Sequence, residues 1–217
     1  MHTLTTGPWT PVALSADLPV GTVIPARIPA GSIALWRSES GRLSASADRC
    51  PHRGMSLSHG FVRGENLSCI YHGWSYARSG KCVRIPAHPG LEPPEAIRAK
   101  TFAVEEAGGV IWVATDEAAT TPPVLEGLMP LRSMTTSAGI AAIEAAAGAK
   151  ATAEGLVVPA ENADTLCLLL SARDDGQTLI HVLLKGETTA DSRIAASRVA
   201  ESLRRAAEDL QKKGIAA

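Results

Sequence analysis

The sequence lacks any excess of charge of one sign. Its 217 residues carry 21 Lys and Arg against 22 Asp and Glu, which gives a formal net charge of −1. This balance provides no basic surface for nucleic acid or for an anionic membrane. The chain also lacks the roughly 18–20 consecutive apolar residues of a membrane span. We therefore expect neither nucleic acid nor a membrane among its partners.

Cysteines are few, and the opening residues predict no signal peptide. The opening stretch, MHTLTTGPWTPVAL, has no basic region followed by an apolar one, so we expect no signal peptide. Only four cysteines occur, at positions 50, 69, 82 and 167, and their spacing suggests no disulfide framework. Both absences predict a cytoplasmic location.

Turn residues divide the first half of the chain into short apolar runs. Glycine, proline and Ser-Gly or Gly-Gly pairs recur at about ten-residue spacing between these runs. Hydrophobic residues make up 45% of the whole chain, which is enough for a buried core. The pattern predicts a small antiparallel β domain over residues 8–117.

The composition changes after residue 117. Residues 118–163 are rich in Ala, Gly, Ser, Thr and Pro and contain few bulky core formers. We predict a linker or weakly structured segment here, with a short helix around 138–147.

The last segment, residues 164–217, returns to regular patterns. Two apolar strands are predicted at 165–172 and 178–186, joined by a turn, and a helix follows at 196–214 with apolar residues at helical spacing. The predicted fold class is therefore mainly β: an antiparallel β domain followed by a small α+β region consisting of a hairpin and a helix.

Two short Cys/His pairs carry the chemistry of the chain. They are Cys50-x-His52 and Cys69-x-x-His72, and sixteen residues separate them. Each pair is predicted to lie at the tip of a tight loop, so that two loops together present two thiolates and two imidazoles. This donor set suits a tetrahedral zinc ion, or a [2Fe–2S] cluster in which one iron has two Cys ligands and the other two His.

The segments that flank these pairs add a second signal. They are Trp9, Leu35-Trp36-Arg37, His72-Gly73-Trp74, Gly80-Lys81-Cys82, Ile85-Pro86-Ala87 and the run GVIWV at 109–113. Together with the C-x-H and C-x-x-H pairs, they resemble the N-terminal domain of Rieske non-haem iron oxygenases of the vanillate demethylase and phthalate dioxygenase type. The resemblance covers residues 8–117, about half of the chain.

This resemblance implies a Rieske-type [2Fe–2S] cluster. It places Cys50 and Cys69 on the buried iron and His52 and His72 on the outer iron. Zinc is the less compatible alternative, because zinc ribbons more often pair C-x-x-C knuckles.

Two absences indicate the branch of the family. Respiratory Rieske proteins carry two further cysteines that tie the ligand loops together, and Met55 and Tyr71 stand at those positions. In Rieske proteins of high potential, two hydroxyl donors raise the reduction potential. Trp74 stands at the first of these positions, two residues after the second His, whereas Tyr76 keeps a hydroxyl at the other. We predict a reduction potential in the lower, oxygenase or ferredoxin range, with Met55 and Trp74 covering the site.

Other polar and sulfur side chains are given structural roles. We expect loop or turn positions for His59 and His88, and a solvated strand end for Glu105-Glu106. Cys82 and Cys167 are expected to pack in the interior rather than to act as ligands or redox groups.

The C-terminal half does not offer the ligands of a second metal site. Oxygenase subunits of this family hold a mononuclear Fe(II) with two His and one carboxylate. Beyond His88 the sequence contains a single histidine, His181, which lies in an apolar strand. We expect its imidazole to face the surface. The strand–turn–strand–helix ending loosely resembles the last part of a vanillate-demethylase-type oxygenase.

These features predict an electron-transfer protein or subunit of an oxygenase system that passes single electrons to a non-haem iron centre on another chain. A reductase or ferredoxin would be the donor and an oxygenase subunit the acceptor, within a homo- or hetero-oligomer. One alternative is a truncated or heteromeric monooxygenase or demethylase component that is active only in a complex. Another is a degenerate relative that binds a partner or a small ligand and keeps the cluster only for structure.

Overall fold

The structure is a computed structural model that describes residues 9–115, 121–162, 164–186 and 188–214. The described residues divide into two compact units. The loop unit comprises residues 15–105 and 113–115. The C-terminal unit comprises residues 9–14, 106–112 and those from 121 on.

The strands, in chain order, are β1 (Trp9–Leu14), β2 (Thr22–Ile28), β3 (Gly31–Arg37), β4 (Leu43–Ala47), β5 (Phe61–Arg63), β6 (Asn66–Ser68), β7 (Ser75–Ala77), β8 (Cys82–Arg84), β9 (Thr101–Ala107), β10 (Val110–Ala114), β11 (Leu128–Thr136), β12 (Leu156–Val157), β13 (Leu166–Ala172) and β14 (Thr178–Lys185). The α-helices are α1 (Ile140–Ala147) and α2 (Ala190–Lys212), and short 3-10 helices occur at Ser15–Asp17, Leu57–His59 and Ala160–Asn162. This mostly β, antiparallel architecture confirms the predicted fold class.

Two antiparallel arrangements of strands build the loop unit. Strands β9, β4, β3 and β2 are hydrogen-bonded neighbours in that order, and β5, β6, β7 and β8 form a four-stranded meander. In the meander Phe61 lies opposite Ser68, and Leu67 lies opposite Tyr76. The meander therefore places the loop that begins at Cys69 directly after β6, while the loop that begins at Cys50 follows β4.

A compact core lies directly behind these two loops. Trp36, Leu57 and Leu67 are at most 1% exposed and pack with the cysteines of the loop unit. Burying side chains of this size contributes roughly 1.5–3 kcal/mol each relative to leaving them in water. The core thus provides a firm apolar base for the loops.

One antiparallel sheet and two helices form most of the C-terminal unit. The strand order is β11-β14-β13-β12, with α1 and α2 packed against its core. The predicted hairpin is present, because Arg173 donates its N–H to Gln177 O at 2.9 Å across the turn between β13 and β14. None of the helices in the described ranges combines the length and hydrophobicity that a bilayer span requires.

The segment at 118–163 is more regular than the sequence predicts. It contains the nine-residue strand β11 as well as α1, which is the short helix expected around 138–147. Strand β11 escapes sequence analysis because most of its residues are exposed or half-buried, so its hydrophobic pattern is weak. Pairing with β14 from Leu128 to Thr136 holds it in place. The boundaries of the three predicted segments stay a prediction.

Helix α2 begins six residues earlier than expected. Thr189 and Ser192 form a capping box, in which the Ser192 N–H donates to Thr189 Oγ1 at 3.2 Å and the Thr189 N–H donates to Ser192 Oγ at 2.9 Å. Serine replaces the usual Glu or Gln of this motif. The sequence therefore gives only a weak signal for the N-terminus of α2.

Candidate metal centre

The first ligand loop is closed by two backbone hydrogen bonds. The Cys50 N–H donates to Met55 O at 2.8 Å, and the Gly54 N–H donates to Cys50 O at 2.8 Å. Gly54 has a φ of +74°, a left-handed conformation that glycine adopts without steric cost. The loop turns tightly and presents His52 at its exposed tip.

The second loop repeats the same closure. The Cys69 N–H donates to Trp74 O at 2.9 Å, and the Gly73 N–H donates to Cys69 O at 2.9 Å. Gly73, like Gly54, lies four residues after its cysteine and has a positive φ, here +69°. His72 sits at the exposed tip of this loop. The two loops therefore have the same backbone frame, although their histidines lie at different steps after the cysteine.

The four candidate ligands form two layers. Cys50 is 3% exposed and Cys69 is 1% exposed, whereas His52 and His72 are exposed, with ring centroids 4.7 Å apart and edge to face. Burial raises the pKa of Cys69, and the neighbouring Cys50 thiol raises it further. A thiol pair below and an imidazole pair above fit a cluster whose two irons have separate donor pairs.

The donors stand as two pairs rather than around one point. Among the described residues no three or more His, Cys, Asp or Glu side chains come together as a site for a single metal ion. The layered pairs fit the donor set that a Rieske-type [2Fe–2S] cluster would take, with two thiolates for one iron and two imidazoles for the other.

Aromatic rings flank both imidazoles. Trp74 stacks on His52 with ring centroids 4.3 Å apart and an interplanar angle of 3°, and Tyr71 lies 3.9 Å from His72 at 33°. Desolvation lowers the pKa of His52, and the positive charges of His72 and Arg53 act in the same direction. The neutral imidazole, which is the form that binds metal, is thereby favoured.

Tyr76 provides a hydroxyl next to one of the buried thiols. Its Oη lies 3.1 Å from Cys50 Sγ, and the side chain is 2% exposed. Burial raises the pKa of Tyr76 well above its usual value, with a further contribution from the Cys50 thiol. The hydroxyl therefore stays protonated and can donate a hydrogen bond to the sulfur, at the position that the sequence predicts. Trp74 stands at the other position where a hydroxyl would raise the reduction potential, and its ring stacks on His52 instead.

The Tyr76→Phe substitution is expected to lower the reduction potential without loss of the cluster. A hydrogen bond to a ligand sulfur stabilises the reduced, more negative state more than the oxidised state. A difference of about 1 kcal/mol corresponds to roughly 40 mV for a one-electron couple. Redox titration of both proteins measures the shift. An unchanged or raised potential in Tyr76→Phe would show that the hydroxyl does not act on the sulfur.

A carboxylate that sequence reasoning missed supports the first loop. Asp48 accepts hydrogen bonds from the Ser58 N–H and from Ser58 Oγ, both at 2.7 Å. This pair links the chain just before Cys50 to the 3-10 helix that follows the loop. The only sequence signal is a polar residue two positions before the ligand, which by itself is too common to be informative.

The other predicted residues occupy the expected environments. His59 and His88 are exposed, and so are Glu105 and Glu106 near the end of β9. Cys82 is 0% exposed in the core that contains Cys50 and Cys69, and Cys167 is 1% exposed within β13. Burial raises the pKa of Cys167 to about 11. Neither thiol is poised for reaction at neutral pH.

His181 corrects an expectation. The sequence predicts a surface-facing imidazole, but the residue is 0% exposed, and its Nδ1 lies 2.9 Å from Ser133 Oγ. The prediction is wrong because β14 is an inner strand of its sheet, between β11 and β13, and is buried on both faces.

Comparison with known proteins bears directly on the loop unit. The family model of the Rieske [2Fe–2S] domain matches residues 8–102. The chain is 42% identical over 113 residues to the oxidoreductase NdmD of Pseudomonas putida, covering 52% of this chain and 19% of NdmD. It is 36% identical over 107 residues to the oxygenase subunit of 3-chlorobenzoate-3,4-dioxygenase of Comamonas testosteroni, covering 48% of this chain and 25% of that subunit.

A third relative is the 4beta-methylsterol monooxygenase of Methylococcus capsulatus, which is 37% identical over 131 residues. The match covers 56% of this chain and 36% of the monooxygenase. The chain thus spans between 19% and 36% of the length of these curated relatives.

Solved structures resemble nearly the whole chain in fold. NdmB of Pseudomonas putida CBB5 aligns with a TM-score of 0.72 at 18% identity, covering 95% of this chain and 83% of NdmB. Apo dicamba monooxygenase aligns with a TM-score of 0.71 at 17% identity, covering 99% of this chain and 86% of that chain. The similarity in fold therefore includes the C-terminal unit as well as the loop unit.

Proposed function

Residues 8–102 of this chain are a Rieske [2Fe–2S] domain, and from this we propose that the chain passes single electrons to a non-haem iron centre on another chain of an oxygenase system. The coarser description, a Rieske electron-transfer or oxygenase-associated component, follows from the domain and its relatives. The direction of transfer and the separate acceptor chain are the proposal.

The proposed ligands are Cys50 and Cys69 for the buried iron and His52 and His72 for the outer iron. When bound, the cluster accepts and releases one electron at a time. The buried thiols, at 3% and 1% exposure, keep water from the sulfur side, and the Tyr76 hydroxyl can donate a hydrogen bond to Cys50 Sγ. Neutral imidazoles in place of two thiolates raise the potential relative to an all-cysteine cluster.

One observation carries the proposal: the two imidazoles are exposed side by side above the buried thiols. The ring nitrogen of each histidine that does not bind metal would carry a hydrogen, which it can donate to a partner's carboxylate or carbonyl oxygen. The two exposed imidazoles are therefore the part of the site that a redox partner can approach most closely.

The rest of the chain supports the proposal that the electron acceptor lies on another chain. His181, the single histidine beyond His88, is fully buried in the C-terminal sheet with Ser133 next to it. We propose a reductase or ferredoxin as donor and an oxygenase subunit as acceptor, in a homo- or hetero-oligomer. All four cysteines are free thiols, which supports a reducing compartment such as the cytoplasm.

A second candidate is a truncated or heteromeric oxygenase component with monooxygenase or demethylase chemistry that requires a complex. It is favoured by the similarity in fold to NdmB and dicamba monooxygenase, which extends over 95% or more of this chain. In that case the C-terminal unit would be the remainder of an oxygenase fold rather than a docking element.

Oxygen uptake by the purified, cluster-loaded chain distinguishes the two candidates. Under argon, the reduced chain is expected to give one electron to an external acceptor such as oxidised cytochrome c. In air, with 3-chlorobenzoate or dicamba as substrate and excess reductant, it is expected to show only slow oxidation that the substrate does not stimulate. Substrate-dependent uptake and product formation by this chain alone would contradict transfer to another chain.

A further inference from the structure

We propose that a groove on the C-terminal unit binds the phosphate group of a small phosphate monoester. The groove lies between β11, at the edge of its sheet, and helix α2, and it has a volume of about 330 Å³. Its lining consists of Arg132, Ser197, Arg198, Glu201, Ser202 and Arg205. None of the proposed cluster ligands lines it, so this inference goes beyond the proposed function.

Strand β11 directs the side chain of Arg132 towards α2. The pairing of β11 with β14 shifts by one residue between Pro130 and Arg132, so that Arg132 stands opposite Val182. Side chains of directly opposite residues share one face of a sheet, and Val182 belongs to the core that α2 helps to form. Arg132 Nη1 donates to Ser197 Oγ at 3.0 Å, while the side chain as a whole stays exposed. Bulges that re-aim a side chain in this way are frequent next to functional sites.

Helix α2 supplies the other two guanidinium groups. Arg198, Ser202 and Arg205 follow one another at spacings of four and three residues, so they lie on one face of the helix. Ala200 and Ala207 bury the opposite face in the core. Arg198 and Arg205 are both exposed. Among the residues that the structure describes, Arg198 forms no ion pair with a carboxylate, and its charge is available to a ligand.

The groove contains one carboxylate, that of Glu201, and neighbouring arginines already neutralise it. Arg204 donates to it from Nε at 2.9 Å and from Nη2 at 2.8 Å, and Arg205 donates from Nε at 2.9 Å. These hydrogen bonds lower the pKa of Glu201 to about 2, so it is ionised at neutral pH. Arg204 also pairs with Glu208 at 2.7 Å, and these two charges cancel. Three arginines against one glutamate leave the lining with a net charge of +2.

A phosphate monoester matches this charge and this set of donors. Above about pH 6 its phosphate group carries close to two negative charges on three terminal oxygens. Guanidinium groups donate paired hydrogen bonds to such oxygens, and the hydroxyls of Ser197 and Ser202 add further donors. Donors from the strand side and from the helix side can each take a different oxygen of a tetrahedral group. A groove at the lower end of the roughly 300–1,000 Å³ range of ligand pockets suits a small ester.

Calorimetric titration of the cluster-loaded chain with glycerol 3-phosphate and with inorganic phosphate tests the proposal, at low ionic strength and about pH 8, where both are dianions. The Arg132→Gln/Arg198→Gln variant removes one guanidinium from each side of the groove. The matched control is Lys212→Gln/Lys213→Gln, which removes the same charge from exposed positions at the end of α2, outside the groove. Succinate, a dianion without a phosphate group, tests the chemical class.

Glycerol 3-phosphate is expected to bind the wild type at least as tightly as inorganic phosphate does. The groove variant should bind it roughly tenfold more weakly or worse, because two charged hydrogen-bond donors are lost, whereas the control should change by less than about twofold. Equal weakening in both variants, or no binding by the wild type, would overturn the proposal. Tighter binding of inorganic phosphate or of succinate than of the ester would overturn the assignment to a phosphate monoester.

The Glu201→Gln variant gives a test that a folding defect cannot imitate. It removes the one negative charge of the groove and the carboxylate that Arg205 now contacts. Glycerol 3-phosphate should therefore bind several-fold more tightly than it binds the wild type. Unchanged or weaker binding by this variant, with a far-ultraviolet circular dichroism spectrum equal to that of the wild type, would contradict the proposal.

Discussion

The Cys69→Ser substitution is expected to abolish cluster binding, whereas Cys82→Ser and Cys167→Ser are expected to retain it. Cys69 is proposed to supply a thiolate to the buried iron, and a serine hydroxyl is a poor substitute for a soft thiolate ligand. Iron content and visible absorption of the purified proteins measure the result. Cys69→Ser should contain almost no iron, and the two other variants should match the wild type.

Cys82 and Cys167 are matched controls for Cys69. Cys69, Cys82 and Cys167 are each at most 1% exposed, so the same substitution buries a hydroxyl at all three positions. Cys82 even belongs to the same core as Cys69. Any general cost of a buried serine therefore affects all three variants. Iron retained in Cys69→Ser, or lost in Cys82→Ser, would require a different ligand set.

Removal of the cluster is expected to destabilise the loop unit strongly. The two ligand loops hold buried thiols and exposed imidazoles, and bonds to the cluster would tie the two loops to each other in addition to the hydrogen bonds that close each one. Metal binding and folding are coupled in small metal domains, where the metal contributes several kcal/mol or more. At about 2–4 °C per kcal/mol, the midpoint of thermal unfolding should fall by roughly 10 °C or more.

Hydrogen exchange can show which part of the chain loses stability when the cluster is removed. In the apo protein the amides of Gly54 and Gly73, which donate to Cys50 O and Cys69 O, should lose protection. Amides of β13 and β14 serve as the internal control, because their sheet contains no proposed ligand. An apo protein as stable as the loaded one would assign the cluster no structural role.

The candidate ligands could be identified from the sequence because their chemistry is local. A Cys/His pair needs only a few residues to reach a tight turn, and glycines at 54 and 73 provide that turn in both loops. The hydroxyl of Tyr76 was also expected from the sequence, because the resemblance to the family places a hydroxyl four residues after His72.

Features that depend on partners distant in sequence were not predictable. Strand β11 is specified by its pairing with β14, and its own residues carry little hydrophobic pattern. The burial of His181 depends on strands lying on both sides of β14. The stacking of Trp74 on His52 joins residues from two separate loops. In each case the decisive contact comes from chain folding rather than from the local sequence.

The central claim is that this chain holds a one-electron Rieske centre at Cys50, His52, Cys69 and His72. Anaerobic titration of the purified protein with dithionite, followed by electron paramagnetic resonance and metal analysis, tests it most directly. We expect the uptake of one electron per chain, a single Rieske-type signal in the reduced state and two irons per chain, as a [2Fe–2S] cluster requires. A colourless protein that contains zinc, or one that takes up no electron, would contradict the claim.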